Sequence, residues 1–291
     1  MDRMKVYARF SLWFTEPVNE KDEKRYQEFK DNLKKYKTEY LIDFYRVPIA
    51  SSEYQYAHEM AEKYPLQEDE EGEWLPGVYI SESTLYEIDY DKKDYDKAVA
   101  YLVNFWYLSY LYEDESSDEY TAPCCDNPSW RGEICEIQNR PLIMPAKEFR
   151  KRQYAQLMHG YGVSEEVRGL LLENGAKEED FTEIKNKQGK LVFYQLTPQN
   201  VIKGFIGDNE IPVEDECKNC GQKRYGYKEE TKPYYISEST LKQLKALNRT
   251  EEMRGLELEP WYLVNKETYL LLKKHYKRIQ FEPIFLKEDK W

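Results

Sequence analysis

The stretch Cys217-Lys218-Asn219-Cys220-Gly221 restricts the fold most, because a CxxC turn that ends in glycine is half of a tetrahedral zinc site. A tight turn lets the two thiolates point at one ion, and Gly221 can adopt the positive φ that directs the chain away after the second ligand. The alternative is a turn of the same form that binds no metal. As half of a site, the stretch predicts a second cysteine-bearing turn elsewhere in the chain.

The second turn is predicted within residues 122–130, a turn-rich segment that contains two adjacent cysteines. A regular first CxxCG motif would have cysteine at position 122 and glycine at position 126, whereas this chain has Ala122 and Asp126. The residues that could replace the missing ligand are Cys124, Cys135 and His159. The expected ligands of a structural zinc ion are Cys217, Cys220, Cys125 and Cys124.

The length of the chain predicts two lobes or one large domain, because 291 residues exceed one typical hydrophobic core. The acidic stretch from Glu113 to Glu119 is the expected boundary, which gives an N-terminal lobe over residues 1–118 and a C-terminal lobe over residues 119–291. The pattern of elements predicts an α+β fold, in which mixed and antiparallel sheets are flanked by helices. A zinc-ribbon-like element is expected in the second lobe.

Apolar alternation and helical spacing predict the individual elements. In the first lobe they are a strand over 5–14, a helix that begins at Asn19 or Asp22 and reaches Tyr36, a strand over 40–47, and helices over 54–64 and 95–112. In the second lobe they are helices over 147–159 and 164–174, a hairpin over 181–196 that turns at 186–189, a strand over 260–264, a helix over 266–276 and a strand over 279–285. His58 lies on a helix face without an evident ligand partner, and no chemistry is assigned to it.

One internal repeat is present, since the sequence Tyr-Ile-Ser-Glu-Ser-Thr-Leu occurs at 79–85 and again at 235–241. Ser81 and Ser237 are expected to be helix N-caps that follow a strand. A weaker echo relates residues 101–104 to residues 262–265. The lobes are either distant copies of each other or share only a strand-to-helix cap.

The formal charge of −12 argues against a surface that wraps a phosphate backbone and favours either solubility or a basic partner. Acidic residues are dense from Glu68 to Asp96 and again from Glu113 to Glu119, and two segments of this field are of most interest, Glu68–Glu73 and Glu113–Glu119. These segments are either a solvated surface or a docking surface that steers a basic protein.

The sequence also predicts a cytoplasmic location. The N-terminus leads into an alternating strand pattern and not into a secretory signal, and no apolar run approaches the roughly 20 residues of a membrane span. Five cysteines, an odd number, fit a reducing compartment better than a disulfide framework.

The second half of the chain resembles the bacterial double-CXXCG-motif proteins, some of which are immunity partners of contact-delivered toxins. The resemblance covers roughly residues 120–291. It rests on the turn from Cys217 to Gly221, on Trp130 shortly after the cysteine-bearing turn, and on an ending in which a strand, a helix and Phe281-Glu282-Pro283-Ile284 follow the CxxCG. Ala122 and Asp126 depart from the pattern of the family, and residues 1–118 lie outside the resemblance. It implies a small cytoplasmic binding protein that neutralises a toxin, and the acidic segments fit a basic effector such as a nuclease.

Two other classes stay open, an enzyme with a zinc or cysteine centre and a zinc-ribbon module that binds nucleic acid. Against the enzyme, the sequence contains no HExxH, P-loop, GxGxxG or Ser-His-Asp pattern, and its 3 histidines leave few bases. Cys124 lacks the Cys-Gly context and the placed base of a nucleophile. Against the nucleic-acid module, the chain is acidic, and acidic neighbours offset its one small basic patch, at 273–278. The expectation is a binding protein that is not an enzyme and contacts neither nucleic acid nor membrane.

Overall fold

The computed structural model describes residues 5–16, 19–38, 43–69, 73–83, 86–103, 121–123, 136–138, 140–149, 151–157, 160–218, 220–226, 231–254, 259–277 and 279–289. The chain forms two compact units, Met1–Lys93 with Glu230–Lys232, and Asp94–Glu229 with Pro233–Trp291. Both units combine helices with sheets, which confirms the predicted α+β class. Within these described ranges, no helix is both long and apolar enough to cross a membrane.

The first unit is an antiparallel sheet with helices packed on one face. Its elements are β1 (Lys5–Thr15), α1 (Glu20–Leu33), a 3-10 turn (Lys34–Tyr36), β2 (Phe44–Pro48), α2 (Ser52–Lys63), β3 (Gly77–Glu82) and β4 (Glu87–Asp89). β1 is the central strand, because β2, β3 and β4 all pair with it. Asn19 caps α1 by accepting a hydrogen bond from the backbone N–H of Asp22, and Ser51 caps α2 in the same way.

β1 alternates between the two faces of the sheet, as its sequence predicts. One face supplies the core, which contains Ala8, Phe10, Leu12, Phe29, Leu33, Tyr45, Val47, Ala57, Val78 and Ile80. Arg9 and Trp13 lie on the opposite face, and both are exposed. The helices therefore cover one face of this sheet, and the second, open face presents the alternate side chains of β1 to solvent.

The second unit contains a larger mixed sheet and a smaller antiparallel one. Its elements are α3 (Lys92–Lys97), which begins at the boundary, β5 (Ala100–Val103), β6 (Thr121–Pro123), β7 (Glu136–Gln138), β8 (Tyr154–Gln156), β9 (Tyr161–Val163), α4 (Glu165–Glu173), β10 (Phe181–Lys185), β11 (Leu191–Leu196), β12 (Val201–Ile202), α5 (Phe205–Asn209), β13 (Val213–Glu216), β14 (Lys223–Tyr225), β15 (Tyr234–Ile236), α6 (Glu238–Leu241), β16 (Leu247–Arg254), β17 (Glu259–Asn265), α7 (Lys266–His275) and β18 (Phe281–Leu286), with 3-10 turns at Ala146–Phe149, Glu178–Asp180 and Lys287–Asp289. The strand orders are β13-β14-β16-β17-β5-β18-β15, with β12 beside β16, and β10-β11-β9-β8; β6 pairs with β7.

The boundary between the units lies after Lys93 and not after residue 118 as predicted. β5 explains the difference, because it lies inside the large sheet with β17 on one side and β18 on the other. The prediction of a helix over 95–112 is wrong, because Ala100–Val103 form the strand β5. All of Ala100–Val103 is buried, and a short apolar run suits a central strand as well as a buried helix. Residues 104–120, including the predicted acidic boundary, lie outside the described residues.

The predicted helix over 147–159 is also wrong, because the chain forms a short 3-10 turn and then β8. Lys151 has φ 64°, a left-handed conformation that no α-helix tolerates. Two neighbouring predictions are confirmed. Ser164 caps α4, and β10 and β11 form a hairpin whose turn places Gly189 at φ 74°.

The repeat gives different structures in its two copies. Ser237 accepts a hydrogen bond from the N–H of Thr240 and caps α6, as predicted. Ser81 lies inside β3 opposite Ser11, so its predicted N-cap role is wrong. β3 is antiparallel to its neighbour β1, whereas β15 is parallel to β18. The two copies of the weaker echo fall largely within β5 and β17, and these two strands pair with each other.

Two side chains of α5 close the outer edge and the end of β15. The amide Nδ2 of Asn209 donates to the carbonyls of Phe205 and Tyr235 at 2.8 Å, and its Oδ1 accepts from the N–H of Tyr235 at 2.7 Å. Asp208 accepts from the N–H of Ser237 at 2.8 Å. These buried side chains thus replace the neighbouring strand that the edge lacks.

Candidate functional site

The described residues of the CxxCG stretch, Cys217, Lys218, Cys220 and Gly221, lie between β13 and β14, which pair as a hairpin. The N–H of Cys217 donates to the carbonyl of Gln222 at 2.8 Å, and the N–H of Gly221 donates to the carbonyl of Cys217 at 2.8 Å. Gly221 has φ 70°, which is the left-handed conformation predicted for it. Cys217 is buried and Cys220 is exposed. The predicted tight turn is therefore present, with both cysteines on it.

The structure describes only this half of the predicted zinc site. Cys124, Cys125, Cys135 and His159 lie outside the described residues, as does Trp130. Among the residues that are described, no group of at least three His, Cys, Asp or Glu side chains is arranged to hold a metal ion. Two thiols on one glycine-ended turn fit half of a tetrahedral zinc site, and zinc binding stays a prediction.

The first acidic segment forms an arm between α2 and β3. We call residues 66–69 and 73–75 the acidic arm. Its two extended pieces are joined by backbone hydrogen bonds, from Asp69 N to Glu73 O at 2.8 Å and from Leu75 N to Gln67 O at 3.0 Å. The carboxylate of Asp69 also accepts from the N–H of Glu73 at 2.9 Å. Glu68, Asp69 and Glu73 are exposed, so the arm presents carboxylates to solvent.

Hydrogen bonds to the end of β1 hold the arm against the sheet. The hydroxyl of Thr15 donates to the carbonyl of Leu75 at 2.5 Å and accepts from the N–H of Gly77 at 3.1 Å. The hydroxyl of Tyr79 donates to the same carbonyl of Leu75 at 2.5 Å. A surface that is held in place before binding loses less conformational entropy when a partner docks.

Three aromatic rings meet beside the arm, and we call Trp13, Phe44 and Trp74 the aromatic cluster. The ring centroids of Trp13 and Trp74 are 6.4 Å apart and those of Trp13 and Phe44 are 6.2 Å apart, both in edge-on arrangements. Trp13 is 44% exposed and Trp74 is 50% exposed, which is unusual for side chains of this size. The Nε1 of Trp74 donates to Glu68 Oε1 at 3.2 Å, and the Nε1 of Trp13 donates to Ser11 Oγ at 2.7 Å. Both indole N–H groups are thus satisfied, while their apolar rings stay accessible.

The arginines of the open face are neutralised by β4. Arg9 pairs with Glu87, and Arg46 pairs with Glu87 and, at 2.6 Å, with Asp89. Arg46 also lies 3.7 Å above the ring of Tyr7. Platforms that bind single-stranded nucleic acid combine aromatic rings with cations that are available to phosphates. This open face has the rings, but its arginines are already paired with carboxylates, and the adjoining arm is acidic.

His58 lies on a face of α2, as predicted, and has hydrogen-bonding partners that the sequence did not reveal. Its Nδ1 lies 2.6 Å from Glu82 Oε2, and its ring stacks on Tyr54. The hydrogen bond with Glu82 raises the pKa of His58 above its ordinary value. Glu82 also accepts a hydrogen bond from Tyr86, and Nε2 of His58 lies 3.7 Å from Glu62. These carboxylate and tyrosine partners make His58 a link between α2 and β3.

Comparison of the chain with family models, with curated proteins and with solved structures gives no match.

The aromatic cluster is the part of this site that sequence reasoning missed. Two signals pointed to it. The alternation of β1 places Trp13 on the face opposite Phe10 and Leu12, and Trp74 follows directly after the acidic run. The pairing of β1 with β2, which brings Phe44 to the same place, carries no local sequence signal.

Proposed function

We propose that this chain is a cytoplasmic protein of the immunity type, which neutralises a basic protein toxin by binding it. The observation that carries the proposal is the exposed aromatic cluster beside the acidic arm. Aromatic side chains that are accessible on a rigid surface are typical anchors of protein interfaces, and a rim of carboxylates favours a cationic partner. The net charge of −12 extends the same preference over longer distances. The resemblance of residues 120–291 to toxin-immunity proteins supports the same class.

We assign the Cys217–Cys220 turn a structural role within this proposal. A zinc ion bound there would fix the turn between β13 and β14, and further ligands would come from Cys124 and Cys125. The turn lies in the second unit, whereas the acidic arm and the aromatic cluster lie in the first. Toxin binding at the arm needs no chemistry from the metal.

The experiment is co-purification of the chain with the product of the gene that adjoins its own. A complex of defined stoichiometry, measured by light scattering, and loss of the toxin's activity in that complex are expected. A single-stranded oligonucleotide serves as the competing probe, because exposed rings on a sheet can also stack bases. Binding of the oligonucleotide without binding of the protein would reject the proposal in favour of the nucleic-acid class. Turnover of a small substrate by the purified chain would favour the enzyme.

A further inference from the structure

An arrangement of arginine, aromatic ring and carboxylate recurs in this protein. Arg25 lies 3.7 Å above the ring of Tyr64 and bonds Asp22 at 2.8 Å. Arg46 lies 3.7 Å above the ring of Tyr7 and pairs with Glu87 and Asp89. In the second unit, Arg168 lies 4.7 Å from the ring centre of Tyr194 and bonds Glu165 at 3.1 Å. In each case one guanidinium both pairs with a carboxylate and lies close to an aromatic ring.

Trp74 and Glu68 form the same ring-and-carboxylate pair. The carboxylate of Glu68 is held at the edge of the indole by the hydrogen bond from Trp74 Nε1 at 3.2 Å, and Trp13 adds a second ring at 6.4 Å. In the part of the chain that the structure describes, no lysine or arginine pairs with Glu68 or lies over either indole. In the other arrangements an arginine lies over the ring. The rings of Trp13 and Trp74 are instead half-exposed.

We infer that this pair is a subsite for one arginine side chain of the partner protein, a conclusion that rests on the proposed function. The guanidinium lies against the exposed ring of Trp74, next to Trp13, and donates N–H groups to the carboxylate of Glu68. Asp69 and Glu73 on the same arm strengthen the attraction for a cation. Arginine suits the subsite better than lysine because its flat, weakly hydrated head can stack on a ring and bond a carboxylate at once.

The test uses the full chain and a short blocked peptide, Gly-Arg-Gly, with Gly-norleucine-Gly as the neutral control. The readout is the NMR signal of each indole N–H, with Trp13 and Trp74 assigned from the variants Trp13→Phe and Trp74→Phe. The arginine peptide is expected to shift both indole signals, and the norleucine peptide is expected to leave them in place. Equal shifts with both peptides would overturn the subsite, and tighter binding of a Gly-Lys-Gly peptide would overturn the choice of arginine.

Glu68→Gln is the sharpest variant, because the glutamine carbonyl still accepts from Trp74 Nε1 while the charge is lost. It should weaken the arginine peptide about threefold. Trp74→Ala should weaken it about fivefold. Glu173→Gln, an exposed charge change in the second unit, is the control and should have no effect. Peptide affinity that is unchanged in Glu68→Gln would overturn the subsite.

Binding of the toxin distinguishes a failure of the arginine subsite from a failure of the proposed function. If the complex forms and both Trp74→Ala and Glu68→Gln bind the toxin as tightly as the unmodified chain, the subsite is rejected and the proposed function stands. If the arginine peptide binds as expected but no toxin complex forms, the proposed function is rejected and the cation subsite stands.

Discussion

Replacing Thr15 by Val tests whether the acidic arm is held in place before it binds. Valine keeps the shape and the β-branched character of threonine but removes the hydroxyl that donates to Leu75 and accepts from Gly77. The carbonyl of Leu75 retains its hydrogen bond from Tyr79, whereas the N–H of the buried Gly77 loses the hydroxyl as an acceptor and keeps only its place opposite Thr15 in the sheet. The lost hydrogen bond to Leu75 and the weaker pairing of the Gly77 N–H together correspond to about 1–2 kcal/mol of local stability.

The assay is hydrogen exchange of the amides of Asp69 and Leu75, which bridge the two pieces of the arm. A loss of about 1–2 kcal/mol accelerates local opening by about 5- to 30-fold. Thr15→Ser is the matched control, because it retains the hydroxyl and should exchange close to the unmodified rate. Equal exchange in Thr15→Val and Thr15→Ser would refute the reasoning, because the hydroxyl would then not hold the arm.

Three further outcomes are expected. Asn209→Ala should destabilise the second unit by about 2–4 kcal/mol in denaturant unfolding, because one buried and two half-buried backbone groups lose their partner; a loss below about 0.5 kcal/mol would contradict this role. The pKa of His58 is raised in the folded chain, so the stability from its contact with Glu82 is fully present below the ordinary histidine pKa and is lost as pH rises through the raised value. NMR titration should therefore give a lower pKa for His58 in Glu82→Gln, and an unchanged pKa would exclude the pairing. Purified protein should contain about one zinc per chain, and Cys217→Ser with Cys220→Ser should lose it together with stability; elemental analysis without zinc after reducing, chelator-free purification would reject the site.

Strong local patterns in the sequence predicted much of the fold. The alternation of β1, the caps at Asn19 and Ser164, and the hairpin that turns at Gly189 all appear as expected, because each is determined by a few neighbouring residues. β5 was missed because Ala100–Val103 is buried on both faces and shows no alternation. Its strand conformation comes from pairing with β17 and β18, which are more than 150 residues away in the chain.

The site was less accessible to sequence reasoning than the fold. The glycine-ended turn at Cys217–Gly221 was predictable, since the motif carries its own geometry. The clustering of Trp13, Phe44 and Trp74 was not, because it depends on strand register and on the path of the arm. The contact of His58 with Glu82 was not predictable for a similar reason, as the two residues are 24 positions apart in the chain.

The central claim, that the acidic arm binds a basic protein, is tested most directly by the rate of association with the toxin as a function of salt. The variant Glu68→Gln, Asp69→Asn, Glu73→Gln removes the exposed charges of the arm and keeps groups that can accept its hydrogen bonds. Its control removes equally many charges from the second unit: Glu173→Gln, Glu238→Gln and Glu267→Gln.

The arm variant should associate more slowly than the control, with a weaker dependence on salt, because exposed charges contribute more to encounter than to stability. The difference should be reduced at about 0.15 M ionic strength, where the screening length is about 8 Å, and nearly absent at about 1 M. An association rate that is the same for the arm variant, the control and the unmodified chain at every salt concentration would contradict the claim and identify the arm as a solvated loop.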